Sequence, residues 1–366
     1  MKMNKFRMVW LPVLSILMVL VSACGQSSNQ QASNAAGGSP KAQEASEPSY
    51  NGEKLVVGVW GGAQAEAVTK FVVKPLEAKG AKIELVLGGT GDRVAKLYAE
   101  KGNPSMDVAF LNIYEAKHAI QDGVAQEVDP DLPNFKSLYP VAQQGGYGFS
   151  LMAMGIAYNK ELVKEPIKDW KDLWRPEFKG KVAFPSYPGF EGDSLVSMAG
   201  KAFGRTEKDD RANFDKLKEL KPVPLVYSNL DELFLEMKNG TVLAVPFFNS
   251  YVNQYIAKGF PVEFVYPKDP GPVLAKNTIV IAKGTKHEKL AKEFVNMCLG
   301  KEIQEYYAKE LFFGPVNKEV KVADDVAAKI VYGEEKVNQL KSLDWDFIIS
   351  KRPEWAQIWA KEILGK

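Results

Sequence analysis

The sequence predicts a two-lobed α/β fold. Short apolar runs alternate with stretches of helical periodicity from Lys54 onward, a pattern typical of a mostly parallel sheet with helices on both faces. The alternation pauses over the turn-rich segment 129–148 and then resumes, which separates the strands into two sets. The chain of 366 residues, 46% of them hydrophobic, is also long enough to form two cores.

The first set contains three strand–helix units. Its strands are predicted at KLVVGVW, AKIELVLG and MDVAFLN, and the helices that follow them are AQAEAVTKFVVKPLEAKG, DRVAKLYAEKG and IYEAKHAIQDG. Each helix ends at a glycine, the residue that most readily adopts the left-handed conformation after a helix.

The second set repeats the alternation less regularly. Its strands are predicted at FSLMAMGIAYN, GKVAFP, PVPLVY, TVLAVPF, FPVEFVYP and NTIVIAKG. Helices are predicted over Leu195–Phe203, Arg211–Leu220, Leu230–Lys238, Tyr251–Lys258, Leu290–Leu299 and Ile303–Leu311. The C-terminal segment, including PEWAQIWAKEIL, is also predicted to be helical.

The two sets predict two lobes joined by two crossings, near Gly146–Ser150 and near Gly271–Asn277. Residues 51–148 and 275–316 are then assigned to lobe 1 and residues 149–274 to lobe 2. The remaining C-terminal helices, residues 317–366, are expected to pack on the lobes.

The N-terminus has the features of a secretory signal peptide over residues 1–23. Three basic residues precede the apolar run Val9–Val21, which Pro12 interrupts and which is too short for a comfortable membrane span. The sequence VSACG at its end resembles the lipobox of bacterial lipoproteins, which implies cleavage before Cys24 and a diacylglycerol on its sulfur. A plain signal peptide or an uncleaved anchor is the alternative. The polar segment 24–50 is expected to be a flexible tether behind that lipid.

Charge and cysteine content exclude two classes of function. Removal of residues 1–23, which carry three basic residues and no acidic ones, would lower the net charge from +2 to −1. No basic excess remains for nucleic acid. Cys298 lies in the apolar stretch EFVNMCLG and is expected to be a small core residue, so neither a disulfide framework nor a Cys–His metal site is predicted.

Polar and aromatic residues follow the predicted strands in both sets. Ligands of open parallel sheets bind outside the carboxyl ends of the strands, so these loops predict a cleft between two lobes that close by hinge bending. Each position also has a structural interpretation, since Gly pairs and Asp92 serve as helix caps and Trp60 as packing. The candidate ligand contacts are Trp60, Gly61, Thr90, Gly91, Asn112, Tyr114, Tyr187, Glu191, Asp193, Tyr227, Phe247, Phe248, Asn249 and Tyr251.

No catalytic motif accompanies these loops. The stretch GGTGDRVAK lacks the Gly-Lys pair of a P-loop, and Val94 replaces the third glycine of a dinucleotide fingerprint. No GxSxG sequence occurs, and the sequence that begins at His287 fails the HExxH zinc pattern at Ala291. The sequence therefore predicts a binding protein without a metal or cofactor, and not an enzyme.

The segment DWKDLWRPEFKGKVAF, at Asp169–Phe184, resembles a segment of the bacterial extracellular solute-binding proteins. These are receptors of ABC importers, in the group that includes spermidine/putrescine, ferric-ion, thiamine and aminoethylphosphonate binders. Further matches, such as GIAYNKEL and NGTVLAVPF, follow in family order over roughly 54–316. The resemblance implies a type 2 periplasmic-binding-protein-like fold with two crossovers and a ligand cleft between the lobes. It also implies delivery of one solute to a membrane permease.

The resemblance also suggests the chemistry of the solute. Polyamine binders of the family place an aromatic residue at Trp60, a tyrosine at Tyr114, acids in the loop of Glu191 and Asp193, and an aromatic residue near Phe247 or Phe248. Such a set suits an ammonium group. The segment matching 274–277 departs from that pattern, because it holds Lys276 and Asn277 where polyamine binders hold a Trp and an Asp. Asn277 is added to the candidate contacts.

Other solutes remain open. Ferric binders carry two adjacent tyrosines, whereas Tyr251 is followed by Val252. An anionic solute, such as a phosphonate or thiamine phosphate, would use helix starts with Arg93 or Lys276 as counter-charge. The favoured hypothesis is a monomeric, lipid-anchored receptor on the outer face of the cytoplasmic membrane that binds a polyamine or another cationic amine. An extracytoplasmic enzyme and an adhesin on this fold are the alternatives from other classes.

Overall fold

The computed structural model describes residues 49–365, which belong to one compact unit. The predicted signal peptide, Cys24 and nearly all of the predicted tether lie outside the described residues. Among the described residues no helix has the length and apolar composition needed to cross a membrane.

Strands form ten segments of the described chain. They are β1 (Lys54–Val59), β2 (Lys82–Leu87), β3 (Val108–Asn112), β4 (Tyr147–Asn159), β5 (Phe184–Pro185), β6 (Val226–Tyr227), β7 (Ala244–Phe248), β8 (Val262–Val265), β9 (Val273–Ile281) and β10 (Gly314–Pro315).

Helices follow the strands in the predicted order. They are α1 (Ala63–Val68), α2 (Lys74–Ala78), α3 (Thr90–Ala99), α4 (Ile113–Gln121), α5 (Phe190–Lys201), α6 (Asp210–Lys218), α7 (Leu230–Asn239), α8 (Asn249–Ala257), α9 (Glu288–Cys298), α10 (Lys301–Leu311), α11 (Asp324–Ala327), α12 (Gly333–Gln339) and α13 (Trp345–Ile358). A π-helical turn, Thr69–Val73, joins α1 to α2, and a second one, Trp359–Ile363, extends α13.

The main sheet is mixed, with the order β10-β4-β9-β3-β1-β2. Strand β1 pairs in parallel with β2 and β3, as the strand–helix units predict. The expectation of a mostly parallel sheet is wrong for the centre, where β9 runs antiparallel to both β3 and β4. The reason is that β4 and β9 are the strands on which the chain passes between the two strand sets, in opposite directions.

Strand β4 connects the two halves of the fold. Its first part, Tyr147–Met154, pairs with β9. Its second part pairs with β7 over residues 154–158 and, along its other edge, with β8 over residues 156–159. All 13 of its residues are buried. A Cβ atom at Gly155 would lie only 2.2 Å from the carbonyl oxygen of Val265, so the approach of β8 requires glycine there.

Two tryptophans of the family-like segment contribute to packing. Trp170 is 1% exposed, and its indole Nε1 donates to the carbonyl oxygen of Gly271 at 2.9 Å. The indole of Trp174 donates to the carbonyl oxygen of Lys216 at 3.0 Å. A capping box between Asp169 and Asp172 starts their 3₁₀ turn. These two bonds connect the segment to the residues just before β9 and to α6.

Candidate functional site

Both predicted lobes, the crossing strand β9 and helix α13 contribute to one cavity of about 480 Å³. It is lined by Trp60, Gln64, Thr90, Gly91, Asn112, Tyr114, Glu115, Met152, Pro188, Gly189, Phe190, Glu191, Phe248, Tyr251, Ala275, Lys276, Asn277 and Arg352. Most of these residues lie at the carboxyl end of a strand or in the first turn of the following helix, which is where open α/β sheets bind ligands.

Nine of the fifteen sequence-predicted contacts line this cavity. They are Trp60, Thr90, Gly91, Asn112, Tyr114, Glu191, Phe248, Tyr251 and Asn277. Trp60 directly follows β1, and the others come from β3, β7, β9 and the starts of α3, α4, α5 and α8. Their assignment to a solute stays a prediction, and the structure brings them together around one space.

Six other predicted contacts do not line the cavity. Gly61 lies beside a smaller neighbouring cavity. Phe247 and Tyr227 are 2% and 4% exposed and pack against each other, with ring centroids 5.6 Å apart. Asn249 is fully buried, where its Oδ1 accepts from the backbone N–H of Ala153 at 2.8 Å. The remaining two, Tyr187 and Asp193, lie immediately behind the wall.

The N-cap residues of the helices that meet at the cavity do not cap them with their side chains, although the carboxylates of Glu115 and Glu191 engage the backbone N–H groups of their own residues. The N-cap residues of α3, α4, α5 and α8 are Gly89, Asn112, Gly189 and Phe248, and none accepts a capping hydrogen bond on its side chain. Helix N-termini carry partial positive charge and unsatisfied donors. The cavity therefore offers backbone donors on several sides.

Trp60 and Thr90 are held together by a buried arginine. The guanidinium of Arg93 lies 4.7 Å from the Trp60 ring centroid and donates to the carbonyl oxygens of Phe110 and Gly88 at 2.8 and 2.6 Å. Burial lowers the pKa of Arg93 to about 10. Arg93 is 2% exposed and does not line the cavity, so it orders the loop and does not serve as a counter-charge in the cavity.

The Thr90 hydroxyl is left as a donor. Its oxygen accepts from Trp60 Nε1 at 3.2 Å and from Arg93 Nη2 at 3.4 Å. A hydroxyl oxygen has two acceptor positions and one hydrogen. Since both positions face N–H donors, the hydrogen remains available to an acceptor atom in the cavity.

Two carboxylates line the cavity. Burial raises the pKa of Glu191 and of Glu115 above their ordinary values. Glu115 accepts weakly from Asn112 Nδ2 at 3.4 Å, while its Oε2 is buried without a hydrogen-bond partner. In the described part of the chain, Glu191 forms no ion pair and no hydrogen bond to another residue. Each acid stands in the first turn of its helix, whose dipole stabilises the negative charge.

A buried ion pair forms the wall next to Tyr114. Arg352 Nε donates to Asp193 Oδ2 at 3.0 Å, and Nη2 donates to the same oxygen. The other oxygen, Oδ1, accepts from the Tyr187 hydroxyl at 2.8 Å. The guanidinium lies 4.8 Å from the centroid of the Tyr114 ring.

Lys276 does not place a free ammonium group in the cavity. Its Nζ donates to the carbonyl oxygens of Val141, at 3.0 Å, and Gln144. The side chain is 2% exposed, and burial lowers its pKa to about 8. The sequence leaves its direction open, and the structure shows that its charge is held by backbone oxygens.

Sequence reasoning did not select nine of the lining residues. They are Gln64, Glu115, Met152, Pro188, Gly189, Phe190, Ala275, Lys276 and Arg352. Gln64, Glu115 and Phe190 stand in the first turn of a helix, so the loop rule would find these three if it extended one turn into each helix. Pro188 and Gly189 immediately precede α5, whereas Met152, Ala275 and Lys276 lie inside strands β4 and β9, where the rule does not look. Arg352 has no such signal, because it lies on α13 far from any strand end.

A family model described as "Bacterial extracellular solute-binding protein" matches residues 66–331. The spermidine/putrescine-binding periplasmic protein 1 of Haemophilus influenzae is 27% identical over 63% of this chain and 66% of its own. The gamma-aminobutyric acid-binding protein of Pseudomonas aeruginosa is 23% identical over 73% of this chain and 78% of its own.

Solved structures share the fold. An ABC transporter protein from Clostridium perfringens has a TM-score of 0.73 and 30% identity, and the match covers 84% of this chain and 99% of that one. The spermidine/putrescine ABC transporter substrate-binding protein of Streptococcus pneumoniae has a TM-score of 0.67 and 19% identity with the same coverage. The predicted two-lobed α/β fold is confirmed by these neighbours.

Proposed function

This chain belongs to the bacterial extracellular solute-binding proteins, the substrate-binding receptors of ABC transporters, and we propose that its solute is a small organic amine. Its family and its structural neighbours are solute-binding proteins rather than enzymes. In this proposal the two lobes close over the amine, and the closed receptor, a monomer, delivers it to its permease.

The unpaired carboxylate of Glu191 carries the proposal. It lines the cavity, its pKa is raised by burial, and among the described residues it has neither a cationic partner nor a hydrogen bond from another side chain. A partly buried carboxylate without a partner is costly, and an ammonium group of a solute would supply both the charge and the N–H donors.

Aromatic walls support the same chemistry. Trp60, Tyr114, Phe190, Phe248 and Tyr251 all line the cavity. Aromatic faces attract cations and cover the apolar carbon chain of an alkyl amine. The relatives named for spermidine/putrescine and for gamma-aminobutyric acid bind compounds that have an ammonium group on a short carbon chain in common.

A purely anionic solute is the competing proposal, and the uncapped helix starts favour it. Two observations oppose it. The carboxylate of Glu191, which pairs with no cation among the described residues, would repel an anion, and the ammonium group of Lys276 is already held by two carbonyl oxygens. A ferric solute has less support, since the described residues contain no group of three or more His, Cys, Asp or Glu side chains placed to hold a metal ion.

A thermal-shift panel on the protein beginning after Cys24 tests the proposal. The solutes are putrescine, spermidine, 4-aminobutyrate, aminoethylphosphonate, thiamine and ferric citrate. A solute at 100 times its Kd stabilises the folded state by about 2.7 kcal/mol, a shift of several degrees in Tm. We expect shifts only with compounds that carry an ammonium group. Shifts confined to ferric citrate or to amine-free anions would refute the amine proposal.

We further propose that Cys24 carries the lipid that holds the receptor on the outer face of the cytoplasmic membrane. The lipobox-like VSACG supports this, and residue 24 lies outside the described residues. Cells fed a labelled fatty acid should label the wild-type protein, and Cys24→Ala should abolish the label. The matched control is Cys298→Ala, because Cys298 is buried in the core. Undiminished labelling of the Cys24 variant would exclude the anchor.

A further inference from the structure

Arg352 reaches the cavity from a part of the chain outside the family match. Helix α13 follows residue 331, where the matched region ends, and it supplies the arginine to the wall. Strong packing fixes this helix, since Trp345 and Trp355 are 5% and 0% exposed. The position of Arg352 is therefore set by a rigid element and not by a loop.

The guanidinium uses only one of its edges within the protein. Both of its hydrogen bonds go to the single oxygen Asp193 Oδ2. Its other contact in the described part of the chain is with Tyr114, whose ring and hydroxyl it faces, so at least two of its five N–H groups are not used by these partners. Both oxygens of Asp193 accept hydrogen bonds within the protein, since the Tyr187 hydroxyl donates to the other one. Arg352 thus faces the cavity with donors left over.

Three further donors lie around the same cavity. The Thr90 hydroxyl hydrogen is free because Trp60 and Arg93 occupy its oxygen. Helix α5 begins at the cavity wall with Gly189 as an uncapped N-cap, and α4 begins there at Asn112 in the same way. A planar guanidinium, a hydroxyl hydrogen and helix N–H groups together match the oxygens of an acidic group.

From this placement we propose that the solute is an amine that also carries an acidic group, and that Arg352 selects for that group. The inference rests on the amine proposed above, whose ammonium group is assigned to Glu191. The acidic group is held by the free edge of the Arg352 guanidinium. A diamine of equal length would place its second ammonium group against Arg352 and leave those donors unused.

Charge also distinguishes the two classes of solute. Arg352 neutralises Asp193, so that pair offers no net charge for a second ammonium group to neutralise. Glu115 is the other acid of this wall, and Arg352 contributes to lowering its pKa against the effect of burial. In a zwitterion the ammonium group pairs with Glu191 and the acidic group pairs with Arg352, so neither residue faces a group of its own charge.

Matched solutes on one carbon chain provide the test. Isothermal titration measures the Kd of the protein beginning after Cys24 for 4-aminobutyrate, putrescine and butyrate. Putrescine replaces the acidic group of 4-aminobutyrate by a second amine, and butyrate lacks the amine. We expect 4-aminobutyrate to bind at least ~30-fold more tightly than either of the others, since an unpaired buried charge costs about 2 kcal/mol or more. The double variant Arg352→Gln with Asp193→Asn keeps a neutral hydrogen-bonded pair and should remove that preference.

Arg211→Gln is the control, because Arg211 is exposed and pairs with Glu362 away from the cavity. Tighter binding of putrescine than of 4-aminobutyrate would overturn the role of Arg352 and leave the amine proposal standing. Binding of butyrate alone, lost in the double variant, would refute the amine and support Arg352 as the acid-binding residue. A preference for 4-aminobutyrate that survives in the double variant would also overturn the assignment to Arg352.

Discussion

Glu191→Gln should weaken amine binding by at least ~30-fold. The substitution keeps the size of the side chain and one of its two acceptor oxygens and removes its charge, so it tests the charge-assisted pair proposed with the solute. Truncating one partner of a close, desolvated charge pair typically costs about 2–5 kcal/mol, and each 1.4 kcal/mol is about tenfold in Kd. Isothermal titration with the best-binding amine of the solute panel measures the change.

The same variant should be more stable than the wild type without solute. Burial raises the pKa of Glu191, so the folded state binds a proton more tightly than the unfolded state does. Stability from this group is therefore fully present at low pH and is lost as pH rises through its ordinary value, about 4.5, and then the folded-state pKa. At neutral pH the carboxylate is a cost, and the amide removes it.

Binding of an amine has the opposite pH dependence. A bound ammonium group favours the carboxylate, so a proton on Glu191 competes with the solute. Affinity in the wild type should fall as pH is lowered from 7 into the range where Glu191 is protonated, while Glu191→Gln should lose this dependence. Glu66→Gln is the control, since Glu66 is also a first-turn acid but is exposed. Unchanged affinity in Glu191→Gln would remove the basis for an amine.

The strand–loop rule explains which contacts were predictable. Trp60, Thr90, Asn112 and Phe248 stand where an apolar strand ends and a helix begins, and those positions can be recognised from the alternation alone. Sheet geometry then brings Trp60, Thr90 and Asn112 to one place, because the carboxyl ends of the neighbouring parallel strands β1, β2 and β3 share an edge. Phe248 comes from the other strand set, at the end of β7, which runs antiparallel to β4. The antiparallel strand β9 at the centre of the sheet also contributes to the cavity, because Asn277, at its middle, pairs with Asn112 at the end of β3.

The same rule does not distinguish the two sides of a loop. Phe247 and Phe248 are adjacent, yet Phe248 lines the cavity and Phe247 packs against Tyr227 and Phe234 in the core. Asp193 and Glu191 lie on one helix two residues apart, and only Glu191 lines the cavity. Side chains separated by one residue in a strand or by two in a helix point in different directions, so selecting a whole loop necessarily includes buried neighbours.

Arg352 was unpredictable for a different reason. The packing of α13 places Arg352 at the cavity, and that packing depends on contacts between residues far apart in sequence. Arg352 and its partner Asp193, for example, are 159 positions apart. Local periodicity predicts that the C-terminus is helical but carries no information about which face meets the cavity. The partners of Asp193 and of Lys276 were undetermined for the same reason.

Trp355→Ala should lower the free energy of unfolding by about 3–5 kcal/mol, the range for removing a large aromatic side chain from a core. The Trp355 ring is 0% exposed, lies edge-on to Phe214 at 5.9 Å between centroids, and donates from Nε1 to Asp210 Oδ2 at 3.2 Å. For a chain of this size the loss corresponds to a Tm lowered by roughly 4–8 °C. Urea denaturation followed by tryptophan fluorescence and circular dichroism measures it.

This substitution also tests how α13 supports the cavity. Trp355 lies one turn beyond Arg352, so loosening the helix should weaken solute binding as well as stability, whereas loss of a peripheral helix would leave binding intact. Gln357→Ala is the matched control, because Gln357 is exposed on the same helix and should change stability by no more than about 0.5 kcal/mol. A cost below about 1 kcal/mol for Trp355→Ala would mean that α13 is not packed as described, and Arg352 would then lose its fixed position at the cavity.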